Sequence, residues 1–189
     1  MARYSAAAHY DGGSVLLHWT IAIAIIGLFA SGVWMVDLGY YDNWYYKAPW
    51  WHKSIGVVTA LLIVLRIVWS FLRRPISAIG SIPHWQRWLA TAVHHTMTLL
   101  AVVLILSGYL VVTAKGDGLS VFDWFSIPAV FTDLSAQVDT FGAIHLWAGY
   151  GIIGLALLHA LAAIKHHVLD KDDTLRRMFG THSGKGETE

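Results

Sequence analysis

The chain contains no cysteine, and only 13% of its 189 residues are charged. Without cysteine it can form no disulfide, no iron–sulfur cluster, and no haem centre held by a thiolate or by covalent thioether bonds. The formal net charge of +1 argues against a nucleic-acid partner, because nucleic-acid-binding domains carry a concentrated basic surface. Hydrophobic residues make up 56% of the chain, which is typical of an integral membrane protein and not of a soluble domain.

Four apolar runs are long enough to cross a bilayer as helices, since a spanning helix needs about 20 residues. They extend over about residues 14–36, 52–72, 89–114 and 142–168. The first run is too long for a signal-peptide core and lacks a convincing cleavage site, so we expect it to be retained. The sequence therefore predicts an all-α, integral membrane four-helix bundle over residues 14–168. Residues 1–13 form an N-terminal segment, and residues 169–189 a polar tail that is expected to be flexible from residue 171 onward.

Basic residues predict how the bundle is oriented in the membrane. Nine of them fall at one set of helix ends: Arg3, Arg73, Arg74, Arg87, Lys165, Lys171, Arg176, Arg177 and Lys185. Lys47, Lys53 and Lys115 fall at the other set. Because cytoplasmic loops carry the excess of lysine and arginine, both termini and the 73–88 loop are expected in the cytoplasm.

The two remaining connections, residues 37–51 and 115–141, are then expected on the outer side. The first is crowded with tyrosine and tryptophan. An aromatic belt at the lipid headgroups explains this composition, and a stacking floor for a quinone ring or a docking partner is the alternative. The second connection is interpreted as a short segment lying on the membrane surface.

Eleven histidines are many for a membrane protein, and four of them occur in the apolar runs at two matched depths. His18 and His159 are expected near the cytoplasmic ends of their helices, and His52 and His145 near the outer ends. Ionisable side chains are costly inside a bilayer and often mark functional sites. Each pair combines two helices, as sites in helix bundles do. The alternative is that each histidine is only a hydrogen-bonded bundle residue.

A spacing of fourteen residues recurs along the chain. It separates His145 from His159, His18 from Gly32, His94 from Gly108, and His52 from Arg66. Fourteen residues are four turns at the period of a packed bundle, so the two members lie on one face, about 21 Å apart along the axis. The two glycines are thus expected at the outer level and Arg66 at the cytoplasmic level.

Smaller features of these helices each allow two interpretations. Gly149, Ala156 and Ala163 share the stripe of His145, where they leave room for a flat, bulky group or let another helix approach closely. Arg66 is a lone cation in an apolar run, and it either pairs with a haem propionate or extends to the cytoplasmic headgroups.

Two imidazoles at each level suit haem better than a bare metal ion. Zinc or iron alone would need a third or fourth protein ligand, and no acidic residue lies in the four apolar cores. Haem needs only two axial ligands from the protein. With both positions filled there is no open site for oxygen activation, so the expected chemistry is transfer of single electrons.

Several short motifs add a family resemblance over roughly residues 10–180. They are LLHW at 16–19, WHKSIG at 51–56, HH at 94–95, AIHLW at 143–147, LLHALAAIKHH at 157–167 and DKDDTLRRM at 170–178. With these the chain resembles the prokaryotic cytochrome b561 family, four-helix proteins of the bacterial inner membrane with two haems stacked across it. The resemblance implies that His18, His52, His145 and His159 are axial ligands of two haem b groups, and that ubiquinone is an electron partner. It gives no ligand role to His95, His166 or His167, and His94 is expected near a propionate or a quinone.

Three functions stay open at this point. The first is a respiratory-chain cytochrome that exchanges electrons between the ubiquinone pool and a donor or acceptor at the periplasmic face. The second is superoxide oxidation with ubiquinone as acceptor, as in some members of the family, although aspartates outnumber lysines in the outer connections. The third is a haem-free scaffold or transporter, for which inverted repeats or broken helices would be expected, and neither is evident.

Overall fold

The computed structural model describes residues 10–72 and 83–179. Four long helices make up most of this part: α1 Gly12–Met35, α2 Lys47–Leu72, α3 His84–Thr113 and α4 Val138–Val168. By length and composition each can cross a membrane. The predicted four-helix membrane bundle is confirmed. Each helix begins a few residues before its predicted apolar run, because the polar and aromatic residues there continue the helix.

Helices α1 and α2 run antiparallel. His18 near the start of α1 lies beside Arg66 near the end of α2, whereas Gly32 near the end of α1 lies beside His52 near the start of α2. The predicted depths of these four residues therefore agree with the packing.

Helices α3 and α4 are antiparallel in the same way. His94 near the start of α3 lies beside His159 in the second half of α4, and Gly108 lies beside His145. We call the end of the bundle where α1 begins and α4 ends the tail end, and the opposite end the hairpin end. Of the basic residues used to predict orientation, Arg3, Arg73, Arg74 and Lys185 lie outside the described residues.

The core between the two ends is apolar and takes one buried side chain from each helix. These side chains are Ile21, Ile63, Ala101 and Ile152. Many other apolar side chains of the helices are exposed, as expected for surfaces that face lipid. The apolar side chains of the core cluster lie between the two histidine levels, together with the buried Thr59 of α2, whose hydroxyl donates to the Ile55 carbonyl.

A β-hairpin covers the hairpin end between α3 and α4. Its strands, β1 Leu119–Val121 and β2 Phe125–Ile127, are antiparallel. In the turn, Phe122 has a φ of 49°, a left-handed backbone conformation found in tight turns. Its main-chain N–H donates a 3.0 Å hydrogen bond to Oγ of Ser54, which lies two residues after His52. The sequence predicted a short surface segment here, but not these strands or their contact with α2.

The tail end is covered by a short helix, α5 Thr174–Phe179, that folds back onto the start of α1. The ring of Trp19 stacks on Phe179, with centroids 5.1 Å apart and planes inclined by 28°. The Nε1–H of Trp19 also donates a 2.9 Å hydrogen bond to the main-chain carbonyl of Met178. The expectation of a flexible tail is therefore wrong for residues 174–179, and residues 180–189 lie outside the described part of the chain.

Candidate functional site

Two imidazoles face each other at the hairpin end. His52 comes from α2 and His145 from α4, and their ring centroids are 6.3 Å apart with planes inclined by 74°. Both side chains are partly buried. The helices that carry them thus bring two imidazoles to one level, as their predicted common depth requires.

Glycines on the other two helices make room for these rings. A Cβ built on Gly32 of α1 would lie 3.2 Å from Cε1 of His52, and one built on Gly108 of α3 would lie 2.9 Å from Cε1 of His145. Both distances are shorter than ordinary carbon–carbon contacts of about 3.5–4.0 Å. Each imidazole therefore lies against backbone where any larger residue would displace it.

Nδ1 of His52 is bonded to a serine hydroxyl on α1. Oγ of Ser31 lies 3.2 Å from this nitrogen and donates its own hydrogen to the main-chain carbonyl of Leu28, 3.0 Å away. Since a hydroxyl has one hydrogen, Ser31 accepts at the first contact and His52 donates from Nδ1–H. The neutral ring then has its lone pair on Nε2.

Nδ1 of His145 is also a donor, and it has two acceptors. It lies 3.1 Å from the carbonyl oxygen of Leu104 and 3.1 Å from Oγ of Ser107, whose hydrogen is donated to the Val103 carbonyl at 2.6 Å. A carbonyl can only accept, so Nδ1 of His145 must carry the hydrogen. Both imidazoles at the hairpin end therefore present a bare Nε2.

A second pair occurs at the tail end. The rings of His18 and His159 have centroids 6.4 Å apart and planes inclined by 72°. His94 adds a third imidazole at this level, 5.0 Å from that of His159. The structure thus brings His94 to the same site as the predicted pair. Among the described residues, His94 contacts the ring of His159 but neither stacks on His18 nor forms a hydrogen bond with it.

Arg66 lies at the tail end, in contact with one ligand candidate. Its NH1 donates a 2.9 Å hydrogen bond to Nδ1 of His18. Arginine has no acceptor, so Nδ1 accepts here and a neutral His18 carries its hydrogen on Nε2. Coordination of a metal by that Nε2 requires Arg66 to release Nδ1. The hydrogen-bond arrangements at the two ends are therefore opposite.

The small-residue stripe of α4 is filled in part by a neighbouring helix. A Cβ built on the buried Gly149 would make ordinary contact with the ring of Phe29 on α1, at 3.4 Å. At this position the structure favours close helix packing over room for a flat group.

Both histidine spacings would allow the two imidazoles of a pair to hold one iron. Metal–imidazole bonds measure about 2.0–2.1 Å and an imidazole nitrogen lies about 1.1 Å from its ring centre, so two trans ligands have centroids about 6.2–6.4 Å apart. The hairpin-end pair fits haem in spacing and in the position of its hydrogens, and the tail-end pair fits in spacing. Within residues 10–72 and 83–179, no group of three His, Cys, Asp or Glu side chains is placed to hold a metal ion.

Sequence reasoning missed Ser31 and Ser107. A signal for them exists, because each directly precedes the glycine that lies fourteen residues after a histidine, in Ser31–Gly32 of α1 and Ser107–Gly108 of α3. The repeated Ser–Gly pair relates α1 to α3, although no internal repeat was evident from the sequence as a whole.

The amino-acid sequence is similar to those of several known proteins. The family profile described as prokaryotic cytochrome b561 matches residues 9–181. Cytochrome b561 homolog 2 of Escherichia coli (strain K12) is 44% identical over 170 residues, which are 90% of each chain. Probable superoxide oxidase CybB of Yersinia pestis is 30% identical over 175 residues, 89% of this chain and 94% of its own. Cytochrome b561 homolog 1 of Escherichia coli (strain K12) is 29% identical over 129 residues, 68% of this chain and 72% of its own.

Proposed function

The chain belongs to the prokaryotic cytochrome b561 family, and from this premise we propose that it transfers single electrons between the ubiquinone pool and a donor or acceptor at the periplasmic face of the bacterial inner membrane. As a member of the family it is a multi-pass bacterial membrane protein and a b-type cytochrome of electron transfer. The proposal adds the number of haems, the residues that hold them, the quinone and the direction in which the bundle is inserted.

The observation that carries the proposal is the pair of histidine spacings, 6.3 Å at one end of the bundle and 6.4 Å at the other. Two haem b groups would be held, one by His52 and His145 and one by His18 and His159. When bound, haem supplies an iron that changes oxidation state by one electron. The histidines would hold and orient it, and the apolar side chains of the core cluster lie between the two levels.

Arg66 and His94 are proposed to serve the tail-end site without binding iron. The contact of Arg66 with His18 supports a role inside the site over one at the headgroups. If Nε2 of His18 held the haem iron, its Nδ1 would carry hydrogen, and the Arg66 guanidinium would need another acceptor. Arg66 would then pair with a haem propionate, because a guanidinium suits a carboxylate. His94 beside His159 is placed to contact the other propionate or a bound quinone.

We place the tail end in the cytoplasm and the hairpin end in the periplasm. In the described part of the chain the tail end carries Arg87, Lys165, Lys171, Arg176 and Arg177, while the hairpin end carries Lys47, Lys53 and Lys115. The positive-inside rule supports this orientation. The quinone is proposed to react near the tail end, where His94 and Arg66 provide polar groups beside the haem.

The test is haem quantification with reduced-minus-oxidised spectra of purified protein. We expect two b-type haems per chain, each with low-spin spectra. His52→Ala and His18→Ala should each remove one haem, from opposite ends, and leave the other spectrum intact. His95→Ala on α3 is the control and should keep both haems. Protein without haem, or with both haems after either ligand substitution, would overturn the assignment.

Superoxide oxidation is the second candidate. The similarity to the Yersinia pestis protein named as a probable superoxide oxidase supports it, since that similarity extends over 94% of the relative. Lys53 directly follows His52 and gives the hairpin-end site one adjacent cation that would attract the superoxide anion. Electron exchange with a periplasmic partner ranks first because the outer connections as a whole contain more aspartates than lysines.

A further inference from the structure

The imidazoles at the hairpin end are each held by a serine from a helix that provides no ligand there. Ser31 on α1 contacts Nδ1 of His52 at 3.2 Å, and Ser107 on α3 contacts Nδ1 of His145 at 3.1 Å. Each serine directly precedes the glycine against which the same ring lies. One Ser–Gly pair thus positions one histidine, and the arrangement occurs twice in the bundle.

We infer that Ser31 is a positioning residue that keeps His52 in the Nδ1–H tautomer and so presents a bare Nε2 to the iron of the hairpin-end haem, and that Ser107 supports the same tautomer of His145 beside the Leu104 carbonyl. This inference rests on the proposed function and adds which residues set the retention and reduction potential of that haem. A neutral imidazole has one N–H, and the nitrogen without it is the one that binds metal. An acceptor at Nδ1 also fixes the ring orientation and raises the basicity of the ligand.

The two serines differ in whether another group can also accept the hydrogen bond from Nδ1 of the histidine. In the described residues Ser31 is the hydrogen-bond partner of Nδ1 of His52, whereas Nδ1 of His145 also has the Leu104 carbonyl at 3.1 Å. Removing the Ser31 hydroxyl therefore leaves a donor in the bundle without its acceptor. Removing the Ser107 hydroxyl leaves the main-chain acceptor in place, so the tautomer and ring orientation of His145 persist.

The tail end provides an internal contrast. There the partner of His18 Nδ1 is the Arg66 guanidinium, which donates and cannot accept. No serine hydroxyl is bonded to the tail-end histidines in the part of the chain that the structure describes. Substitution of either serine is therefore expected to act on the hairpin-end haem and to leave the tail-end haem unchanged.

The experiment compares haem-loaded Ser31→Ala, Ser107→Ala and a matched control in detergent. The control is Ser70→Ala, because the Ser70 hydroxyl also donates to a carbonyl three residues earlier, that of Ile67, and bonds no histidine among the described residues. One measurement is the rate of haem transfer to an excess of a haem-scavenging apoprotein. The other is the midpoint potential of each haem, followed by visible absorbance.

We expect Ser31→Ala to lose one haem about tenfold faster, the lower bound of effects seen when the hydrogen-bond partner of a metal ligand is removed. The midpoint of the same haem should rise, because a less basic ligand stabilises ferric iron less. Ser107→Ala should change the rate of haem loss and the midpoint in the same direction but by smaller amounts. Ser70→Ala should change neither. Ser31→Thr, which keeps a hydroxyl, should restore both.

The outcomes separate a positioning role from a packing role. A packing defect would speed haem loss without raising the midpoint, and that result would overturn the inference. Two intact haems with unchanged loss and potential in Ser31→Ala would overturn it as well, while leaving the proposed function standing. Wild-type protein without haem would instead overturn the proposed function, and this inference with it.

Discussion

A Cβ placed on Gly108 would lie 2.9 Å from Cε1 of His145, well inside the ordinary contact distance of carbon atoms. The glycine is on α3 and the histidine on α4, and these two helices share the most extensive contact among the described elements. The absence of a side chain at position 108 therefore lets the ring fit between two closely packed helices. The glycine makes room, and its backbone conformation is ordinary helix.

Adding that side chain should displace the histidine. We expect Gly108→Ala to weaken retention of the hairpin-end haem by about tenfold or more, as for other changes that misplace a metal ligand. Gly32→Ala should have a smaller effect, because its Cβ would lie 3.2 Å from His52. The haem-to-protein ratio after gel filtration measures both.

A change in helix stability cannot explain a loss of haem in Gly108→Ala, because the substitution favours the helix. Alanine in a helix interior is about 1 kcal/mol more favourable than glycine. The control is Gly154→Ala on α4, where a Cβ would meet no atom within 4 Å. It should keep both haems and melt at the same or a higher temperature. Two intact haems in Gly108→Ala would contradict the prediction.

The levels of these glycines were predictable from the sequence because helix geometry is local. A step of fourteen residues returns to the same face at any position in a helix. The sequence separation of His18 from Gly32, and of His94 from Gly108, therefore fixes the depth of each glycine in the bundle without knowledge of the packing. The order of the helices and their alternating direction then bring Gly32 to His52. Hydropathy likewise predicted four spans, since lipid requires long apolar helices.

Contacts that depend on distant residues were not predictable. The Ser–Gly pair marks Ser31 in the sequence but not its partner, and only the packing of α1 on α2 brings the hydroxyl to His52. The β-hairpin and α5 are short, and their positions depend on contacts such as Phe122 with Ser54 and Trp19 with Phe179. Such segments have weak intrinsic preferences and are fixed by tertiary contacts.

A second prediction concerns Arg66. Arg66→Leu should lower the reduction potential of the tail-end haem, because a nearby cation favours the reduced, less positive centre. We expect a shift on the order of 60 mV, which is tenfold in the equilibrium constant of a one-electron couple. Arg66→Lys keeps the charge and should retain most of the potential, but it loses the planar two-pronged contact and should hold haem less firmly.

Potentiometry of each haem separates this role from a headgroup contact. Arg176→Leu removes the same charge from α5 and serves as the control, since Arg176 is a half-exposed partner of Asp173 at 3.5 Å. It should leave both midpoints unchanged. If Arg66→Leu also leaves the tail-end midpoint and occupancy unchanged, the side chain serves the cytoplasmic headgroups instead.

A third prediction concerns the connection between α4 and α5. A 2.6 Å hydrogen bond from Lys165 holds the pKa of the Asp170 carboxyl below its ordinary value of 3.8, and His166 lies 2.7 Å from the same oxygen. A lowered pKa means that the contact is present above the ordinary value and is lost as pH falls through the folded one. Asp170 therefore stays ionised between pH 8 and about pH 5, and its contact with Lys165 should not make the docking of α5 depend on pH in this range.

Substitution removes the contact at any pH. Asp170→Asn should speed amide hydrogen exchange of residues 174–179 at neutral pH, because the link that precedes α5 loses its charged partner. Asp173→Asn is the matched control, since its carboxylate is half exposed and pairs with Arg176 within α5. Exchange in Asp170→Asn no faster than in the wild type would show that the Lys165–Asp170 contact does not hold α5.

The last prediction concerns the substrate at the hairpin end. The connections at the hairpin end, together with Lys53, carry three lysines and six aspartates: Asp37, Asp42, Asp117, Asp123, Asp133 and Asp139. Their formal balance is therefore negative and repels an anion in solution. We expect ubiquinol to reduce the haems quickly and superoxide to reduce them slowly. Stopped-flow absorbance with each donor, at low and high salt, measures both rates.

The alternative has a distinct dependence on charge and salt. Capture of superoxide would rely on the cation beside His52, so Lys53→Glu would slow reduction by superoxide severalfold and added salt would slow it in the wild type. Reduction by ubiquinol would be spared, because the quinone is uncharged and is proposed to react at the tail end. Lys171→Glu makes the same charge change at that opposite end and should leave the superoxide rate unchanged. Fast, salt-sensitive reduction by superoxide that depends on Lys53 would make superoxide oxidation the first function, since no protein partner at the periplasmic face would be needed to explain the hairpin-end haem.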